Sequence, residues 1–162
     1  MAAVDFFIKF DGIKGESNDQ KHPGGMQVED FSWGLTNSAH GSGGGGGAGK
    51  VKFHDISVTK PLDTASPKLF QMCATGEHIK KAELFVRKAG GAGADYLHIT
   101  LTDVLVSSYH VGSQQPKGPG ETETISLNFA KYEEQYTPTR PDGSAAGGAV
   151  GASYDLKTNK KL

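Results

Sequence analysis

The chain has 162 residues, room for one domain that buries its own core. Its 17 basic and 18 acidic side chains leave a net charge of -1, which excludes nucleic-acid binding through bulk positive charge. With 36% apolar residues wholesale disorder is excluded, 23 Gly and 7 Pro point to many turns, and a lone cysteine excludes both an intramolecular disulfide and a cysteine-based zinc site within one chain.

The start has no basic n-region, and Asp5 and Lys9 interrupt its short apolar stretch, so it does not read as a Sec signal. No run of about 18 apolar residues occurs, so no membrane span is expected. Synthesis in the cytoplasm is expected, with any export using a route without a cleaved N-terminal signal.

Phe6, Ile8 and Phe10 share a parity that predicts a first strand, turned by Gly12 to Gly15. A second strand is predicted from Met26 to Leu35, with the apolar phase slipping near Asp30. The same slip recurs in Val51 to Val58, Leu97 to Val106 and Ile125 to Tyr136, whereas Ala82 to Arg87 keeps one phase. A bulge or sharp coil re-aims side chains in this way, and long coiled strands curl a sheet toward a barrel.

One helix is predicted, with Ser66 as cap, Pro67 in the first turn and Gly76 at the exit. Leu69, Met72, Cys73 and Gly76 would share its packed face, burying the thiol. Arg140 to Gly151 reads as a flexible connector, and Tyr154 to Lys161 as a last edge strand protected by lysines.

Gly44 to Lys50 satisfies the phosphate-loop pattern until Val51 replaces the hydroxyl residue that would hold magnesium, and no helix pattern follows; it reads as a long loop. His22, His40, His54, His78, His98 and His110 are scattered without chelating spacing and read as solvated or locally hydrogen-bonded. His54 and Asp55, as strand neighbours, would point to opposite faces. Glu121, Glu123, Glu133 and Glu134 read as a strand's wet face. No catalytic residue, cofactor or metal site is expected, and the chain does not read as an enzyme.

Phe7-Ile8-Lys9 with Ile13 to Ser17 resembles the Hcp family, the tube-forming proteins of bacterial type VI secretion systems. The resemblance continues through Phe31 to Gly34, Gly49-Lys50-Val51, Thr59-Lys60, Asp63, Ser66 to Leu69, Gly76 to His78, Arg87 to Gly91, Tyr96-Leu97, Val104 to Ser108 and Tyr154-Asp155. It implies one mainly β domain over residues 1–162: a small closed or nearly closed β-barrel of two curled antiparallel sheets, one side-packed α-helix and a long Gly-rich loop.

The implied role is a structural subunit of the secretion inner tube. Homohexameric rings would stack head-to-tail, leave the cell by the type VI route without a cleaved signal peptide, and carry small effector proteins in the lumen. The implied partners are further copies of itself, a VgrG-type spike and a contractile sheath, with no nucleic acid and no membrane insertion. Loops around His22 and from Pro116 to Gly120 vary freely in such proteins.

A stacking subunit needs an axial contact, and a long loop in a compact domain is usually functional or disordered. The expected stacking loop therefore comprises Ser38, His40, Ser42, Gly43, Gly44, Gly45, Gly46, Gly47, Ala48 and Gly49. The competing reading is a non-catalytic soluble β-barrel that binds a ligand at one mouth.

Overall fold

The computed structural model describes residues 4–37, 51–88, 94–112 and 120–162. In chain order the elements are β1 (Val4–Phe10), β2 (Met26–Val28), β3 (Asp30–Ser32), β4 (Leu35–Asn37), β5 (Val51–Phe53), β6 (Ile56–Pro61), α1 (Ser66–Thr75), β7 (Ile79–Lys88), β8 (Asp95–Gly112), β9 (Thr122–Tyr136), β10 (Val150–Asp155) and β11 (Lys160–Lys161). All strand pairings are antiparallel.

The main sheet runs β11-β10-β9-β8-β7-β1-β2, with β3 joined through β6 to β9. Only Glu29 separates β2 from β3, and its amide donates to the carbonyl of Thr59 at 2.8 Å. One short stretch thus pairs with β1 first and with β6 next, which curls the sheet round on itself. The ring of strands is stitched at Glu29 and is not a continuous ladder, so the barrel is nearly closed.

The phase slips have two causes. Two of the four come from one bend: in β8 the buried set passes from Leu101 to Val104 and in β9 the inward parity changes after Phe129, while β7 takes the same step from Ile79 to Ala82, just before the stretch that keeps one phase. These positions lie opposite one another, Ile79 against Val104 and Val104 against Phe129, so one sharp bend crosses three strands on a line. Asp103, with φ of 56°, occupies the left-handed region at that bend. The other two slips are strand breaks, at Glu29 and at His54-Asp55.

Helix α1 packs on β8 and sends Leu69 and Met72 into the buried core cluster that also holds Ile56, Val104 and Leu127. Its exit follows the sequence: Gly76, at φ of 71°, returns its amide to the Met72 carbonyl. Two details differ from expectation. Ala65 is the N-cap and Ser66 is the buried first helical residue, and Cys73 is only half-buried because it sits at the margin of the packed face.

The predicted connector holds an ordered turn at Arg140 to Ser144, closed by the amides of Arg140 and Gly143 onto the Ser144 and Arg140 carbonyls. The predicted last strand is a hairpin: Asp155 accepts from the amides of Lys157 and Thr158, and Asn159 at φ of 55° turns the chain into β11.

Residues 15–25 form a strap tied by amides of Gly15 and Ser17 to the Gly24 and Gly25 carbonyls. A Cβ on Gly15 would stand 2.5 Å from both the Gly25 carbonyl oxygen and Met26 Cγ. Gly15→Ala is therefore expected to destabilise the protein by about 1–3 kcal/mol through backbone displacement. Calorimetry should show a lowered Tm; an unchanged Tm would refute the close approach.

Candidate functional site

The expected stacking residues, Ser38, His40, Ser42 and Gly43 to Gly49, lie outside the described residues, as do Gly44 to Lys50 of the phosphate-loop pattern. What is described is the arm that carries them. β4 and β5 form a separate two-stranded sheet, pairing Leu35 with Phe53 and Asn37 with Val51.

The arm leaves the barrel at a fork. β9 pairs with β8 along one side; along the other it pairs with β6 from Thr122 to Leu127 and with β10 from Lys131 to Tyr136. Residues 128–130 fall between, and there the chain peels away as β5. Asp55 pins this point, accepting from Ser107 Oγ at 2.6 Å and Asn128 Nδ2 at 3.1 Å. His54 and Asp55 are thus linker residues and not strand neighbours.

Aromatic side chains hold the base of the arm. The Phe53 ring lies 5.4 Å from Tyr154, 6.1 Å from Phe129 and 6.2 Å from Tyr132. Trp33 stacks on Phe31 at 5.0 Å, and Phe31 meets Phe6 edge-on at 4.8 Å, continuing the contact to the barrel wall. The Tyr132 hydroxyl donates to Glu134 Oε1 at 3.0 Å, and burial, then the Glu134 charge, raises its pKa.

Beyond the fork, a buried ionic clip joins β6, β9 and α1. Lys60 and Glu123 are fully buried and form an ion pair. Lys60 Nζ also donates to the Pro61 carbonyl and to Asp63 Oδ1, each at 3.0 Å. Asp63 Oδ1 accepts from the Ala65 amide at 2.9 Å, while the Asp63 amide donates to Ser66 Oγ at 2.9 Å. Asp63 therefore serves the helix start that Ser66 was expected to cap.

Glu123 is accordingly not on a wet face. It shares parity with Ile125, Leu127 and Phe129, as Lys60 does with Ile56 and Val58, and that shared parity was the signal of burial. Tyr109 stands against the clip: burial, followed by Glu123, pushes its phenol up to about 12.

The strap is pinned by charge and by stacking. Asp19 forms an ion pair with Arg87, and the Arg87 hydrogen bond holds its carboxyl below the usual carboxylate range. His22, 3% exposed, lies between Phe7 at 4.9 Å and Phe85 at 4.4 Å, with Nε2 3.0 Å from Asp95 Oδ1. The expectation that the histidines are solvated or locally bonded fails here, because two rings from β1 and β7 enclose the imidazole.

His98 contacts Glu83 at 2.9 Å and His78 contacts Asp103 at 2.7 Å. His40 lies outside the described residues. Among the described residues no group of three or more His, Cys, Asp or Glu is placed to hold a metal ion, and no helix is long and apolar enough to cross a membrane.

These charged clusters are mutually neutralised ties between elements. The geometry defines a structural barrel that carries a side-packed helix and a projecting arm. The type VI secretion effector family Hcp matches by sequence profile over residues 7–136. The chain is 43% identical to Protein hcp1 of Pseudomonas aeruginosa strain PAO1, covering 97% of this chain and 98% of that protein.

Among solved structures, Hcp1 from Salmonella typhimurium is 34% identical with a TM-score of 0.83, covering 100% of both chains. A type six secretion system protein is 31% identical with a TM-score of 0.92, covering 99% of this chain and 100% of the other. The chain belongs to the Hcp family of type VI secretion proteins, a structural secreted family and not a known enzyme family.

Removing Lys60 leaves the buried Glu123 charge unpaired, and removing Glu123 leaves the buried Lys60 with Asp63 as its one remaining carboxylate. Glu123→Leu or Lys60→Met alone is expected to cost about 3–5 kcal/mol, with the double variant recovering most of that loss. Urea unfolding checks this; additive losses in the double variant would contradict the pairing.

Since the folded pKa of Tyr109 lies above the ordinary value near 10, its stabilising contribution is complete below pH 10 and is lost as the pH rises toward about 12. In the folded protein at about pH 10.5, Tyr109→Phe should leave phenolate absorbance nearly unchanged, while lowering it in the unfolded protein. An equal drop in both states would show that Tyr109 ionises normally.

Proposed function

We propose that the chain is one domain over residues 1–162 that forms the type VI inner tube: six copies close a ring, and rings stack head-to-tail. The observation that supports this most directly is family membership along nearly the whole chain, combined with a rigidly mounted arm whose own two strands are too short to stand alone. The tube leaves the cell with a VgrG-type spike, driven by a contractile sheath, and carries small effector proteins in its lumen.

The arm loop, Ser38 to Gly49, makes the axial contact between rings. Light scattering behind a sizing column should give about six times the chain mass of 17.1 kDa. A clean single-chain mass at high concentration would overturn the tube and favour a ligand-binding barrel.

Deleting Gly43 to Gly47 should leave the circular dichroism spectrum and ring mass unchanged, since shortening a loop between held strands changes closure entropy little. Sedimentation of tubes and secretion should fall. Unfolding of the shortened protein would place the loop in the core.

A further inference from the structure

A cavity of about 530 Å³ opens where the strap, the start of β1, β2 and the corner after β6 meet. Its place follows from the incomplete closure of the barrel. β2 pairs only with β1, and Pro61 ends β6, after which the Leu62 amide turns to the Glu121 carbonyl. The strap forms one wall with Glu16 to Asp19, and Asp5, Phe7 and Gln27 of the sheet form another. All of these groups come from one chain.

Charge in this cavity is unbalanced. Arg87, the cation on its wall, is shared by Asp19 and Asp5, its Nε standing 3.5 Å from Asp5 Oδ2. Lys60 meets the wall residue Asp63 and serves Glu123 as well, whose fully buried Oε2 has no hydrogen-bond partner among the described residues. Glu16 is exposed and has no cation beside it among the described residues. The ties therefore satisfy both cations and leave the carboxylates short: Asp5 Oδ1, Asp63 Oδ2 and both oxygens of Glu16 accept no hydrogen bond from a described residue.

The rest of the lining has a different character. Pro61 and Leu62, the latter 38% exposed, make an apolar strip beside the carboxylates, and Asn18 and Gln27 bring amides able to pair with a peptide backbone.

We infer that this cavity receives a short basic segment of a partner protein, a lysine or arginine whose charged head meets Glu16, Asp5 and Asp63 while its stem and an apolar neighbour lie on Pro61 and Leu62. The surplus of carboxylates sets the sign of the occupant, since an anion would find only Arg87, which is already engaged by two aspartates. The strip and the amides select a peptide over a bare polyamine. A polyamine uses the carboxylates alone, whereas a basic side chain on a peptide also covers apolar surface with its stem and presents backbone groups to Asn18 and Gln27. Such a contact near the rim gives orientation and encounter rate more than affinity, and it weakens with salt.

Fluorescence anisotropy of a labelled, end-blocked peptide, Ala-Leu-Lys-Arg-Leu-Ala, titrated with the purified full chain at low ionic strength, is the test. The expected result is saturable binding that Glu16→Lys weakens at least about tenfold, because like charge then faces the head group. Glu16→Gln, which only removes the charge, should give a smaller loss in the same direction. Glu133→Lys, the same charge change at an exposed position of β9 outside the cavity, should leave binding unchanged. Circular dichroism checks that each variant is folded.

Equal losses in Glu16→Lys and Glu133→Lys would mean that overall charge holds the peptide, and would overturn the inference, as would the absence of saturation at millimolar protein. Spermine matched in positive charge should displace the peptide only in part; complete displacement would make this a site for free polycations and overturn the protein occupant. A peptide with serines for its leucines should bind more weakly, and equal binding would contradict the role of Pro61 and Leu62.

Discussion

The structure depends on β9 being longer than any one partner on its second side. Fourteen of its fifteen residues pair with β8 along one flank, and the other flank is divided between β6 and β10. The first division closes the barrel through β6, β3 and Glu29. The second carries the sheet outward to β10, beyond the barrel wall. The gap between them is where the arm departs, so the closed part and the unfinished part of the fold meet at residues 128–130.

The two sides of that fork are stabilised by different physics. On the barrel side, Lys60 replaces solvent with three oxygen acceptors, from Pro61, Asp63 and Glu123, and ties the helix start to two strands. Such a clip adds little net stability over a packed apolar core, and its strength is directional: it admits one arrangement of β6, β9 and α1. On the arm side the attachment is aromatic, with Phe53 among Phe129, Tyr132 and Tyr154. Rings contribute area and shape, giving a firm mount for a two-stranded arm that cannot be stable alone.

The barrel and helix were legible because their signals are local. Parity marks Phe6, Ile8 and Phe10 or Leu84 and Val86, and Ser-Pro with a later Gly brackets α1. The recurrent phase slips announced a bend, but only the register shows that those in β8 and β9 lie on one line with a step in β7, since register is a property of paired strands. Lys60 and Glu123 were readable from the parity they share with aliphatic neighbours, yet a charged residue on an apolar parity looks like an exception until its partner, 63 positions away, is known. His22 gave no local signal at all: its burial comes from Phe7 and Phe85, on strands distant in sequence. The arm was read as part of longer strands because the chain breaks at Glu29 and at His54-Asp55 leave pieces of only three residues.

The central claim is the proposal that this nearly closed barrel is one subunit of a ring closed by six copies of itself. Cryo-electron microscopy of the purified full chain tests it most directly. The account predicts six-fold annular particles in which each subunit keeps the nearly closed barrel and its projecting arm. Single-chain particles at high concentration would contradict it.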